Sequence, residues 1–135
     1  VGAYHFFTLC RSGAKQARHF LATVPPDSRA LPPAVDLETA GNCSRRPSQA
    51  DVRREIGAFL TRVEAAWHRK VRVYIRDDFD SRYPGSDGGR PGWVFRFLRR
   101  PSEKNWVIWQ LHGFARVEGI SGRVDLDVMR SRAGS

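Results

Sequence analysis

Leu31-Pro32-Pro33-Ala34-Val35-Asp36-Leu37-Glu38 is the stretch whose reading decides the fold. Two consecutive prolines forbid a helix, and the residues after them alternate, with Val35 and Leu37 apolar and Asp36 and Glu38 acidic. The segment therefore reads as a short strand. Side chains at i and i+2 leave a strand on one face with roughly 6.5–7 Å between their Cα atoms, so both carboxyl groups emerge side by side while Val35 and Leu37 pack behind. That is the geometry of a two-carboxylate site. On this octapeptide alone, a solvent-facing edge strand with two ordinary charges is an equal alternative.

Working outward, Val1 to Thr8 reads as a first strand. Ser12 is placed to cap a helix whose apolar residues Ala14, Ala17, Leu21 and Val24, with Phe20 beside them, recur at helical spacing until Pro25-Pro26 stops it. Beyond Glu38, a turn through Cys43 leads to Ser48 and Asp51, a capping-box pattern. Val52, Ile56, Phe59, Leu60, Val63 and Trp67 then make one apolar helical face, and Val71 to Ile75 alternates again as a strand. Strand, helix, strand, helix, strand with short connections implies α/β organisation with a parallel sheet covered by helices. Asp77 to Arg90 is polar and glycine-rich, and three apolar segments follow without a helix between them: Trp93–Leu98, Trp106–Leu111 and Val124–Met129. Bare strands closing a βα series predict a barrel. Eight-stranded barrels run to about 200 residues or more, so with six strands and two helices roughly a quarter to a third of the fold lies outside this sequence. The start at a buried-looking strand, without an initiator methionine, likewise predicts a missing N-terminal strand or strands and helix.

The 135 residues amount to one domain, and 41% hydrophobic content argues against disorder. No apolar run is long enough to span a membrane, and no signal peptide is recognisable. The net charge of +9, from 23 basic and 14 acidic residues, attracts polyanions. The basic residues are scattered, so general polyanion affinity is expected rather than specific nucleic-acid recognition. Cys10 and Cys43 lack metal-type spacing, and no metal is expected.

Five segments in order carry a family resemblance. Gly2-Ala3-Tyr4-His5-Phe6-Phe7, Leu31 to Glu38, Val73-Tyr74-Ile75, Trp109-Gln110 and Gly119-Ile120-Ser121-Gly122-Arg123-Val124-Asp125-Leu126-Asp127 resemble the strand-end motifs of family-25 glycoside hydrolases, the Chalaropsis-type lysozymes. The resemblance implies a modified (β/α) TIM-like barrel that cleaves the β-1,4 bond between N-acetylmuramic acid and N-acetylglucosamine in peptidoglycan. It implies no cofactor, peptidoglycan as partner, and an extracellular or periplasmic location at the cell envelope. Glu38 becomes the general acid, kept protonated by the neighbouring charge of an ionised Asp36, which either balances positive charge or orients the substrate's N-acetyl group; both roles stay open. Asp125 joins the same carboxylate cluster. Tyr4 and Tyr74 are the candidates for stacking on sugar rings, with core packing as the alternative, and Gln110 matches a position near the site. For Phe6, Trp106 and Trp109 core packing is expected, and for His5 a hydrogen-bonded structural role. The barrel also puts Cys10 and Cys43 at neighbouring strand ends, within disulfide reach.

Three departures stand out. The family's first strand carries an aspartate motif with no equivalent before Val1; its Trp-Gln-Tyr is Trp109-Gln110-Leu111 here; and its Val-Asp-x-Asn ends in Asp127. An incomplete barrel would leave strand edges open to self-association. Two other classes follow from these features: a catalytically inactive remnant that binds wall glycan, separated from the enzyme by binding without new reducing ends, and a basic nucleic-acid-binding domain using Trp93 to Arg100.

Overall fold

A computed structural model describes residues 1–130. The elements run β1 (Tyr4–Phe6), α1 (Gly13–Thr23), β2 (Ala34–Leu37), α2 (Gln49–Trp67), β3 (Arg72–Ile75), α3 (Asp77–Arg82), β4 (Gly92–Phe95), β5 (Trp106–Ala115) and β6 (Val124–Met129). All six strands form one sheet in sequence order. β1 to β5 are parallel, and β6 returns antiparallel to β5.

The sheet curls strongly. A flat sheet would hold β1 and β4 about 14 Å apart, three strand spacings, yet the Tyr4 and Trp93 rings lie 6.3 Å apart. Trp93 Nε1 also donates to Asp127 Oδ1 at 2.9 Å, spanning from β4 to β6. The result is a half-barrel. Among the described residues β1 and β6 remain its two edges, as the incomplete barrel expected from the sequence would leave them. Closure needs a full ring of strands at one tilt and stagger, and six strands leave the interior open on one side.

Outward-facing residues of β1 to β3 pack on α1, α2 and α3 in one core that includes Phe7, Val35, Leu37, Phe59, Val63, Val73 and Phe79. α2 buries all six residues of its predicted face. Ser48 Oγ accepts from Asp51 N at 3.1 Å and donates to Asp51 Oδ2 at 2.7 Å, closing the predicted cap. α1 differs from expectation in part. Its fully buried residues are Gly13, Gln16, Ala17 and Phe20, and Leu21 and Val24 pack against the core at its edge, so of the expected face only Ala14 stands apart. The Ser12 side chain makes no capping bond; instead Gly13 N donates to Glu55 Oε2 at 2.9 Å. A Cβ on Gly13 would lie 1.7 Å from the backbone oxygen of Glu55, so only glycine lets α1 start against α2. α3 falls in the stretch read as a polar loop; Phe79 and Tyr83, four apart, are both buried there. Phe6, expected in the core, is 37% exposed on the inner face, because among the described residues no strand flanks β1 on its outer edge.

Candidate functional site

The alternation of β2 is resolved in favour of the carboxylates. Val35 and Leu37 are both 0% exposed, turned to the helices, and Asp36 and Glu38 line a cleft of about 100 Å³ inside the curl. Tyr4, Tyr74, Trp93, Gln110 and Asp125 line the same cleft. The six residues singled out in the sequence thus converge from β1, the end of β2, β3, β5 and β6. The cleft opens toward the carboxyl ends of the parallel strands, where βα folds place ligands.

Local anchors hold this end of the sheet. Asn42 Nδ2 donates to Phe7 O at 2.8 Å and to Glu38 O at 3.0 Å, while its Oδ1 accepts from Leu9 N at 2.9 Å. One side chain therefore ties the loop after β1 to the residue that carries the outer carboxyl group. Next to it, Cys10 and Cys43 form a disulfide with their Cα atoms 6.2 Å apart. Gln16 does the same work beneath β1: its Nε2 donates to Thr8 O and Arg11 O, and its Oε1 accepts from Thr8 N and from His5 Nε2. His5 stacks on Phe59 at 5.1 Å. Burial holds its pKa below the ordinary value, as suits a structural imidazole.

The electrostatics differ from expectation. Burial first, and then the negative charge of Glu38 beside it, push the Asp36 carboxyl up to about 7, with Arg76 pulling the other way. Asp36 Oδ1 is buried and has no hydrogen-bond partner. The raised pKa thus belongs to Asp36, where the sequence argument had an ionised Asp36 beside a protonated Glu38. The physical reason is position: Asp36 sits within β2, walled by neighbouring strands, whereas Glu38 lies past its end. Arg76 lies over the Phe95 ring at 5.5 Å from its centroid.

Trp93 was not singled out as a site residue. Its ring stands edge-on to Tyr74 at 5.6 Å, and its indole nitrogen is held by Asp127. Burial raises the Asp127 pKa, the Trp93 hydrogen bond lowers it, and the charge of Asp125 raises it further. Regular parallel pairing of β3 with β4 puts Trp93 opposite Tyr74. Trp106 is buried, as expected, and Trp109 is half-buried, its Nε1 donating to Arg96 O at 2.8 Å. Among the described residues no group of three or more His, Cys, Asp or Glu side chains is arranged to hold a metal ion. No helix there is long and apolar enough to cross a membrane.

The sequence signature described as Glycosyl hydrolases family 25 matches residues 1–120. The chain belongs to glycosyl hydrolase family 25. Its half-barrel is similar to a family 25 glycosyl hydrolase from Bacillus anthracis, with a TM-score of 0.80 and 28% identity over 98% of this chain and 65% of that one. It is equally similar to the bacterial lysozyme from Streptomyces coelicolor, with a TM-score of 0.80 and 28% identity over 98% of this chain and 68% of that one. Lysozyme M1 from Streptomyces globisporus is 31% identical over 139 residues, covering 92% of this chain and 47% of that protein. The chain thus spans about half the length of the curated relatives it matches. Within this family-25 chain, Asp127, which replaces the resemblance's asparagine, is the residue that fixes Trp93 in the cleft.

Proposed function

We propose that the chain carries the catalytic centre of a peptidoglycan hydrolase, cleaving the β-1,4 bond between N-acetylmuramic acid and N-acetylglucosamine. One observation carries the reading: two carboxyl groups side by side at a strand end, in a cleft walled by Tyr4, Tyr74 and Trp93. Glycoside hydrolysis needs that pairing of an acid with a negative charge, and pyranose rings offer apolar faces to aromatic walls.

Asp36, its pKa raised to about 7, holds a proton for part of the time near neutral pH. When substrate binds, the partnerless Asp36 Oδ1 accepts the N–H of the substrate's N-acetyl group, which favours ionised Asp36. Glu38, as the acid, gives a proton to the glycosidic oxygen as the C1–O bond breaks and its electron pair leaves with that oxygen. The acetamido oxygen attacks C1, held in place by Asp36, and water later opens the cyclic intermediate with Glu38 taking back a proton. Asp125, on β6, adds negative charge opposite the pair, and Gln110 offers an amide to sugar hydroxyls. Peptidoglycan lies outside the cytoplasm, so this reading carries an extracellular or periplasmic location, with which the Cys10–Cys43 disulfide agrees.

Purified peptidoglycan digested with the chain and then reduced with borohydride tests the bond. New reducing ends should appear as the alditol of N-acetylmuramic acid. The alditol of N-acetylglucosamine would contradict the bond assigned, and binding with no new ends would favour a glycan-binding remnant instead.

A further inference from the structure

At the opposite end of the sheet from the carboxylates lies a second groove, of about 890 Å³. Its wall includes Pro32 before β2, Arg72 at the start of β3, Pro91 before β4, and Met129 and Arg130 at the end of antiparallel β6. These positions mark the amino ends of the parallel strands. Arg29, Arg69, Lys70, Arg72 and Arg130 all face it, and among the described residues no Asp or Glu lines it.

The charges of three of these residues are not neutralised. Arg69 donates to the carbonyl oxygens of Ala30 and Ser28 at 2.8 and 2.7 Å, so its guanidinium is fixed by neutral groups. Arg130 donates to Lys104 O at 3.1 Å and lies over the Trp106 ring at 4.3 Å from its centroid. Arg72 is half-buried; its backbone N–H donates to Pro33 O at 2.9 Å, but among the described residues its guanidinium has neither a hydrogen-bond nor an ion-pair partner. Its pKa is lowered by burial alone, with no charged neighbour contributing. A half-buried guanidinium without an anion is costly, and the cost is recovered when an anion arrives. Arg29 and Lys70, by contrast, are already paired with Asp27 and Glu64.

We propose that this groove binds a phosphodiester polymer attached to the cell wall, as an anchoring site separate from the glycan cleft. Several fixed cations along one groove suit a chain of repeated anions better than a single small ion, and guanidinium groups match phosphate oxygens in pairs. Among the described residues no aromatic side chain lines the groove, so nucleic-acid bases find no ring there to stack on, and a polyol phosphate without bases fits better. The choice of a wall polymer rests on the peptidoglycan reading; the groove's affinity for phosphodiesters does not. Because the two sites lie at opposite ends of the strands, a polymer held in the groove leaves the cleft free.

The test uses poly(glycerol phosphate) as probe, titrated into the 135-residue chain at several salt concentrations. Arg72→Gln with Arg130→Gln should weaken binding by about 100-fold, and Arg130→Gln alone, at an exposed position, by about tenfold. A control double variant, Lys15→Gln with Arg18→Gln on exposed positions of α1, removes the same charge and should lose no more than about threefold. Equal losses in the two doubles would reduce the groove to general charge attraction and overturn the proposal. So would tighter binding of single-stranded oligonucleotides than of the polyol phosphate at matched salt. Binding of tri-N-acetylglucosamine should be unchanged by saturating poly(glycerol phosphate), and competition between them would overturn the separation of the sites. Failure of peptidoglycan cleavage leaves these binding results intact, so the two readings fail separately.

Discussion

β1 to β3 are each followed by a helix, and their outward residues are lost to solvent: Val35 and Leu37 are 0% exposed and Val73 is 1%. β4 to β6 have no helix between them, and β6 leaves Leu126, Val128 and Met129 at 40% exposure or more. The cleft draws on both halves. Its carboxylate pair stands on the helix-backed half, where Asn42 and the disulfide fix the loops. Its companions Trp93, Gln110 and Asp125 come from the bare half. The difference separates two settings: the carboxylate pair is backed by helices and anchored loops, whereas its companions sit on strands without that backing.

The largest test of that contrast is structural. Gly13→Ala drives a methyl group into the backbone of α2 and should cost about 3 kcal/mol or more in urea denaturation. Val128→Ala on β6 should cost less than about 1 kcal/mol. Similar losses at the two positions would break the comparison between the halves.

The second effect is on stability against pH. Folded Asp36 keeps its proton to about pH 7, well above the ordinary carboxylate range where the unfolded chain loses it. Between those values the native state binds more protons, so this group's contribution to stability is intact at low pH and falls as pH rises to about 7. Asp36→Asn removes that dependence. Its urea midpoint should exceed that of wild type at pH 8 and show no such gain at pH 4; a gain at pH 4 instead would contradict the buried, raised carboxyl group.

The smallest effect sharpens the role of the bare half. A Cβ on Gly113 would lie 2.8 Å from Asp125 Oδ1, the movable end of a side chain. Gly113→Ala should therefore leave the denaturation midpoint within about 0.5 kcal/mol of wild type while weakening binding of tri-N-acetylglucosamine a few-fold. Unchanged binding would remove Asp125 from the cleft's working set.

What the sequence disclosed follows the same division. α2 was legible residue by residue because its apolar positions keep one period over five turns, and β2 because strict alternation permits only one register once one face is buried. α1 was read in its apolar residues Ala17, Phe20, Leu21 and Val24 but not in Gly13 and Gln16, which are buried for a close helix approach and a hydrogen-bond hub and carry no apolar signal. α3 hid behind three aspartates, although Phe79 and Tyr83 at i and i+4 were a helical cue. Trp93 was missed because its place in the cleft comes from pairing opposite Tyr74 and from Asp127 on β6, long-range contacts that alternation within β4 does not reveal. The shared cleft of Asp36, Glu38 and Asp125 was reached through family resemblance, since nothing in spacing alone brings β6 to β2. The raised Asp36 pKa depends on burial, which the sequence orders only by strand.

In the proposed reaction Glu38 supplies the proton to the glycosidic oxygen. The measurement is the rate of reducing-end release from purified peptidoglycan by wild type and by Glu38→Gln, alongside binding of the same material. Glutamine keeps the shape of the side chain and has no proton to give, so the rate should fall by roughly 10²–10⁴-fold while binding is retained. Full activity in Glu38→Gln would contradict the account.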